Sequence, residues 1–374
     1  MTVLLSMLLF AVFTLEYFAV KLGVISRFAT LIPEVLLLVL AIVLVGSALI
    51  NRRWDQPMSF VVLFGVLLLI GMVGAVAEQV APGTWVAGFR TYFKFVPLLF
   101  VAAAYRFSAK ELYRIIGVFL FLVTIQVPIA FYQRFVQFSA SMHTGDPVTG
   151  TVSTSSALTV VLCIAIAIIM TLYVNRKLSF PVTATLFLYF AAPTAINETK
   201  ATLLLLPLAT VGPFIFAKNV QDKWKLATPV FVLCGVGLMG FAVVYNILSE
   251  ARWWAWSSRD IGDFISTGHF QTYLYRGASS DYVPDVIGRV DSIILPVQVL
   301  AENWMQILFG LGPGNVSAAF LPGMDGAYYE QYQRYGVGMT SIGYIIWELG
   351  LLGLLVYVGL FVVMWKNARA LAKS

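Results

Sequence analysis

The sequence has little charge, two histidines and two cysteines, and each scarcity excludes a class of protein. Charged residues make up 11% of the 374 residues, whereas hydrophobic residues make up 60%. A histidine-rich metal site is excluded by count, since His143 and His269 are the only histidines. Cys163 and Cys234 both fall within long apolar runs, so no disulfide framework is expected. The sequence has no phosphate-binding loop with its lysine and no Ser–His–Asp constellation, and we expect neither a metal ion nor a cofactor.

The abundance of apolar residues predicts a protein embedded in a membrane. The mean hydropathy is +0.87, which is more apolar surface than a soluble domain of this length can bury. A helix needs roughly 20 apolar residues to cross about 30 Å of hydrocarbon. We therefore predict an all-α transmembrane bundle of about ten spans, at about 3–20, 31–50, 57–77, 86–104, 112–133, 155–174, 180–196, 199–217, 226–248 and 338–364.

Basic residues are unevenly distributed, and their distribution predicts the orientation of the spans. If the N-terminus is cytoplasmic, the inner loops and the C-terminal tail hold 13 basic residues, against 6 in the short outer loops and adjoining span ends. The remaining five lie in 249–337. We therefore expect both termini in the cytoplasm. The high isoelectric point follows from this bias, and no nucleic-acid partner is expected.

The chain divides into three segments by this topology. We predict a nine-span membrane domain over 1–248, a large outer loop over 249–337, and a last span with a basic tail over 338–374. The loop holds 5 basic and 9 acidic residues, a net charge of −4, whereas the remainder has a net charge of +10. Loops of this length usually carry function. Within it, Val290–Leu311 has the spacing of an amphipathic helix, at the membrane interface or packed on the bundle.

Several basic residues collect near the outer face and have two interpretations. Each alone is compatible with a side chain whose head reaches the interface while its stem lies in lipid. Together they would suit a phosphate or diphosphate group, which Arg binds bidentately and Lys as a point charge. Charges within the membrane are costly, which favours a functional role. The set is Arg90, Lys94, Arg134, Lys200, Arg276 and Arg289.

The carboxylates and histidines also have competing interpretations. Glu198 is expected either to pair with Lys200 or to take part in the chemistry. Glu16 and Glu348 fall in spans, where interhelical hydrogen bonds are the expected role. His269 is either incidental or catalytic. The absence of an internal repeat argues against a transporter built from inverted halves.

Four stretches, taken in order, resemble the O-antigen ligase and polymerase family of bacterial membrane glycosyltransferases. The stretch 143–162 is similar to an outer Gly/Thr-rich turn that leads into a helix of small residues. The stretch 195–209 is similar to a polar turn with Lys200 where the family usually has Ser-Arg. The stretch 288–315 is similar to a signature in which Gly-Arg, here Gly288 and Arg289, opens a surface helix that closes on a Gly-x-Gly-x-Gly turn. In 340–360, Glu348 and Gly350 match a Glu-x-Gly helix. The resemblance covers roughly 85–365.

The resemblance implies a GT-C-like, metal-independent transferase in the bacterial inner membrane. Such enzymes take a glycan from undecaprenyl diphosphate and attach it to an acceptor hydroxyl on the outer face. The implied partners are the lipid-linked glycan, the acceptor glycan, the bilayer and other polysaccharide-assembly proteins. We expect Arg289 and Lys200 to contact the diphosphate, and His269 or a loop carboxylate to act as base, unless proximity suffices. The supporting substrate-binding residues are Arg90, Lys94, Arg276 and Arg134.

One departure from the family bears on the reaction. Family ligases have a histidine nine residues before the glutamate, and here that position is Met339, followed by Thr340 and Ser341. This favours polymerisation of lipid-linked repeat units. The alternatives are ligation of a glycan to a lipid acceptor, transfer of an oligosaccharide to a protein hydroxyl, and, in another class, a flippase of lipid-linked sugars.

Overall fold

The computed structural model describes residues 1–51, 58–105, 107–138, 147–197, 199–217, 223–250, 261–262, 274–275, 287–319, 323–332 and 337–371. Helices account for its regular structure. They are α1 (Thr2–Glu16), α2 (Ile32–Asn51), α3 (Met58–Ala77), α4 (Pro82–Phe93), α5 (Val96–Ala104), α6 (Ala109–Tyr132), α7 (Ser155–Val174), α8 (Phe180–Ile196), α9 (Thr202–Phe216), α10 (Lys223–Glu250), α11 (Asp291–Leu300), α12 (Trp304–Phe309), α13 (Tyr329–Tyr332) and α14 (Ser341–Leu371). A π-helical turn, Gln133–Gln137, extends α6.

The expectation of an all-α polytopic membrane protein is confirmed. Within the described residues, eight helices are long and apolar enough to cross a membrane. One of these spans, Pro82–Ala103, joins α4 and α5 across a break at Lys94 and Phe95. The other two predicted spans are helices as well, but α8 has 17 residues and α9 has 15. At about 1.5 Å per residue these rise roughly 22–26 Å, which is short of about 30 Å. The count of ten spans stays a prediction.

Local sequence signals explain where several helices begin. Ser108 and Glu111 form a capping box at the start of α6, because each side chain accepts a hydrogen bond from the other's backbone N–H. Thr154 accepts from the Ala157 N–H at 3.1 Å and starts α7. Proline at the first turn begins α4, α5 and α8, where the missing N–H has no helical partner to lose.

The chain forms two compact units, and unit 1 comprises Met1–Leu36 and Phe107–Ile265. Its centre is α7, which packs against α8 and α9. Leu162 and Ile166 of α7 are fully buried in the same cluster as Phe187 of α8. Dispersion and close packing hold such helices together in lipid, where water does not drive their association.

Unit 2 comprises Leu37–Arg106 and Ser266–Ser374. Its helices α3 and α14 pack along their length through a cluster that includes the buried Leu67 and Leu349. The helices α11 and α12 pack on the first half of α14, where Leu300 contacts the cluster around Ile346 and Trp347.

The single helix predicted over Val290–Leu311 is wrong, because the segment forms two helices, α11 and α12. Residues 301–303 separate them, and the Asn303 side chain accepts from the Met305 N–H at 3.0 Å, which starts a new helix. Two of the large apolar side chains of the segment, Ile294 and Trp304, are 42% and 67% exposed. The segment packs on the bundle, one of the two placements expected from its sequence.

Candidate functional site

The glycine-rich turn at 310–314 has a backbone conformation and close backbone neighbours that only glycine allows. Three glycines have a positive φ there: Gly310 at 72°, Gly312 at 88° and Gly314 at 86°. A Cβ on Gly314 would lie 2.3 Å from the carbonyl oxygen of Thr84 in α4. In return, a Cβ on Gly88 would lie 2.0 Å from the Gly314 nitrogen. The turn is therefore in backbone contact with α4.

The same turn completes a break in α14. Gly350 has φ 65° and ψ −170°, so the helix is interrupted there. The freed carbonyl oxygens of Trp347 and Glu348 accept hydrogen bonds from the N–H groups of Leu311 at 2.8 Å and Gly312 at 3.1 Å. Irregular backbone within a membrane protein needs such partners, since lipid supplies none. The glycine turn and the break in α14 thus form one structural feature.

Glu348 lies at this break and is fully buried. Its Oε2 accepts a hydrogen bond from the Tyr92 hydroxyl of α4 at 2.8 Å, which confirms the expected interhelical hydrogen bond. The hydroxyls of Ser317 and Tyr344 and the N–H of Gly314 lie beside the carboxylate. Within the described residues, Oε1 completes no hydrogen bond. A buried carboxylate oxygen without a partner is costly, so it is a candidate for a functional group.

A small cavity of about 80 Å³ adjoins this carboxylate. Ser317 and Tyr344 line the cavity and also lie beside Glu348. Its size suits a few water molecules or one phosphoryl group and is too small for a sugar ring. The side chains that give it polar character come from α4, the segment after the glycine turn, and α14. They are Arg90, Thr91, Ser317 and Tyr344.

The predicted residues of unit 2 are Arg90, Lys94 and Arg289. Arg90 is half-buried on α4 and lines the cavity. Lys94 follows it by four residues, at the break before α5, with its Nζ 5.1 Å from the centre of the Phe95 ring. Arg289 is exposed just before α11. The structure therefore places Arg90 at the cavity, Lys94 one turn further along the same helix, and Arg289 on the surface.

Met339 stands where the ligases that the sequence resembles have a histidine, and its side chain is 37% exposed. The neighbouring Thr340 hydroxyl lies 3.0 Å from the Ser292 hydroxyl and accepts from the Gly343 N–H at 3.1 Å. Ser292 in turn donates to the Arg289 carbonyl oxygen at 2.7 Å. These bonds tie the start of α14 to the start of α11 and fix the backbone at Arg289.

The predicted residues of unit 1 are Lys200 and Arg134. Arg134 is only 2% exposed, in the π-helical turn after α6. Its neighbour Gln133 holds the loop before α7, since its Oε1 accepts from the N–H groups of Thr149 at 3.0 Å and Gly150 at 2.8 Å. Lys200 is half-buried in the turn between α8 and α9.

Asn197 links the first two resembling stretches within unit 1. Its Nδ2 donates to the Ser155 carbonyl oxygen at 3.2 Å and to the Thr159 hydroxyl at 2.7 Å. The turn that carries Lys200 therefore adjoins the N-terminal end of α7. The predicted residues His269 and Arg276 lie outside the described residues.

Sequence reasoning missed the groups around Glu348 and a second, partly buried network. The carboxylate of Glu78, just after α3, accepts from the Tyr328 hydroxyl at 3.0 Å and from the Gln306 side chain at 2.9 Å. Burial and the hydrogen bond to Glu78 raise the pKa of Tyr328. For Glu348, the tyrosine four residues earlier on one helix face was an available signal. For Glu78, no local pattern indicates its partners.

Comparisons with protein-family models, with curated proteins and with solved structures find no match for this chain.

Proposed function

We propose that this protein is a membrane glycosyltransferase that polymerises lipid-linked repeat units of a surface polysaccharide. It takes a glycan from undecaprenyl diphosphate and transfers it to an acceptor hydroxyl on the outer face of the bacterial inner membrane. The observation that carries the proposal is the polar cavity at Arg90, beside the buried carboxylate of Glu348. Gly314 and Tyr344, which line the cavity, belong to the third and fourth resembling stretches.

The first chemical requirement is stabilisation of the leaving diphosphate. Arg90 supplies a planar guanidinium at the wall of a cavity of phosphoryl size, and such a fork binds phosphate oxygens bidentately. Lys94 lies four residues later, at the C-cap of α4, and adds a second positive charge. Fixed charges in a site with little water stabilise developing negative charge without reorganisation. Arg289, on the surface, binds the diphosphate of the arriving carrier bidentately before the carrier reaches the cavity.

The second requirement is a group that accepts the proton of the acceptor hydroxyl. As the acceptor oxygen bonds to the anomeric carbon, the bond from that carbon to the diphosphate oxygen breaks, and the electron pair stays on the diphosphate. The proton passes through the Tyr344 or Ser317 hydroxyl to Glu348. Tyr92 holds the other carboxylate oxygen and thereby orients the group. Glu348 is thus the base in this proposal, the role that the sequence resemblance suggested for His269 or a loop carboxylate.

The test is reconstitution of the purified protein with lipid-linked oligosaccharide. Chain lengthening with release of undecaprenyl diphosphate is expected. Arg90→Gln should lower the initial rate by roughly 10- to 100-fold, the effect of one lost charge-assisted contact of about 1.5–3 kcal/mol. Arg27→Gln is the control, because it removes the same charge at an exposed position that belongs to none of the resembling stretches.

Two outcomes would contradict the proposal. Movement of the lipid-linked sugar between leaflets without a new glycosidic bond would indicate a flippase. Equal rates for Arg90→Gln and Arg27→Gln would remove the cavity from the site. Transfer to a lipid or protein acceptor in place of chain growth would keep the chemistry and change the acceptor, in favour of a ligase or a protein-directed transferase.

The role of Glu348 has its own test. Glu348→Gln should lower kcat by about 10²- to 10⁴-fold with little change in KM, and should abolish the acid-side fall in the pH–rate profile. Tyr92→Phe keeps the carboxylate and should retain that fall. A Glu348→Gln enzyme with the wild-type pH profile would show that the carboxylate is structural.

A further inference from the structure

Unit 1 contains an open apolar groove of about 970 Å³ that the proposed reaction does not use. It runs along α1, α6 and the start of α2. Phe10 and Phe121, on its two long walls, are 58% and 63% exposed. Both lie in segments long and apolar enough to cross a membrane, so the groove faces the hydrocarbon of the bilayer.

The groove has a charged end and an apolar end. The Thr2 hydroxyl donates to Glu111 Oε1 at 3.2 Å, which places the starts of α1 and α6 side by side. Arg114 lines the groove near these starts and is the one charged residue in its lining. Leu15 and Ile32 line its other end. From Thr2 to Leu15 the helix rises about 20 Å, so the groove covers more than half of the hydrocarbon thickness.

We propose that this groove binds a phospholipid with an anionic headgroup. One acyl chain lies along α1 and α6, and the phosphate contacts the Arg114 guanidinium. An apolar channel about 20 Å long with a cation at one end is complementary to such a lipid in shape and in charge. Arg114 is exposed and forms no ion pair within the described part of the chain, so its donors are available to a phosphate.

The position of Arg114 selects a phospholipid over the carrier of the proposed reaction. Arg114 belongs to a basic connection that also contains Arg106 and Lys110, and such clusters are typical of the cytoplasmic side. Anionic phospholipids are enriched at that surface. The glycan carrier would present its diphosphate at the opposite face. A bound lipid would bridge α1 and α6 and stabilise the folded protein by mass action.

The first experiment measures lipid retention and thermal unfolding of the full chain in detergent. Native mass spectrometry should show one retained phosphatidylglycerol, and added phosphatidylglycerol should raise Tm more than added phosphatidylethanolamine. Arg114→Gln should bind phosphatidylglycerol about 10-fold more weakly, the effect of one lost charge-assisted contact. Lys110→Gln is the matched control, since Lys110 is exposed one turn earlier on α6 and does not line the groove.

A third variant fills the groove and leaves its charge intact, and a fourth is its control. A Cβ on Gly117, which lines the groove, meets nothing within 4 Å, so Gly117→Leu is accommodated and excludes the acyl chain. Gly235→Leu, in the equally open setting of α10, should retain the lipid. Equal retention by all four variants, or equal binding of phosphatidylethanolamine, would overturn the proposal. Recovery of a polyprenyl phosphate from the groove would also overturn it, and none of these outcomes depends on glycan transfer.

Discussion

The contact between α4 and the glycine turn can be tested by adding one methyl group. In Gly88→Ala the new Cβ would lie 2.0 Å from the Gly314 nitrogen and 2.2 Å from the Pro313 carbonyl carbon. These are backbone atoms, so the whole turn must move by more than 1 Å to reach ordinary van der Waals contact. Overpacking of this kind costs about 1–3 kcal/mol. Alanine has a helix propensity more favourable than that of glycine by up to about 1 kcal/mol, so the net loss is up to about 2 kcal/mol.

The matched control is Gly65→Ala in α3, where a Cβ meets nothing within 4 Å. There the helix propensity gain is unopposed, and a small increase in stability is expected. Thermal unfolding in one detergent should therefore give Tm changes of opposite sign, with a decrease of a few degrees for Gly88→Ala. Because Gly314 of the turn lines the cavity, Gly88→Ala should also lower transferase activity. Equal Tm changes for the two variants would refute the close approach.

Four further predictions concern topology, metal dependence, the surface arginine and alkaline stability. A reporter fused within 249–337 should behave as non-cytoplasmic, and a cytoplasmic signal would contradict the topology. Transfer should persist in EDTA because cationic side chains supply the charge stabilisation, and recovery of lost activity by added Mg²⁺ or Mn²⁺ would count against this. Arg289→Lys should slow polymerisation by roughly 10- to 100-fold, because the bidentate contact is lost, whereas Arg27→Lys should leave the rate near wild type. Equal rates would indicate that Arg289 only anchors the protein at the membrane interface. Burial and Glu78 raise the pKa of Tyr328, so the stability that Tyr328 contributes is complete below about pH 10 and is lost as pH rises through the raised pKa. Tyr328→Phe should therefore make the decrease of Tm at alkaline pH less steep. An unchanged slope would contradict this assignment.

The sequence by itself determined the membrane helices, because crossing lipid is a property of each segment. A helix satisfies its own backbone hydrogen bonds, so a long apolar run is sufficient to predict a span. Helix starts at Ser108 and Thr154 also follow from local capping. Glu348 was expected to bond across helices, since a carboxylate in a span needs a partner. The partner itself was not predictable.

Local patterns also had a limit in the segment 249–337. The apolar spacing of Val290–Leu311 is compatible with one helix, but the Asn303 cap and the packing on α14 divide it into two. The glycines at 310–314 indicated a turn. Their backbone hydrogen bonds to the broken helix at Gly350 depend on an element that lies about 40 residues later in the chain.

Only the tertiary structure decided which polar groups meet. Tyr92 and Glu348 are 256 residues apart in sequence, and Glu78 and Tyr328 are 250 apart. Hydropathy cannot encode such pairs, because the pattern of each helix specifies a face and leaves the neighbour on that face undetermined. The choice is made by packing, where glycine lets backbones approach and the resulting cavity brings Arg90 to the hydroxyls beside Glu348. The sequence thus specified the membrane helices and the charged residues, and close packing of the glycine turn determined which polar side chains line one cavity.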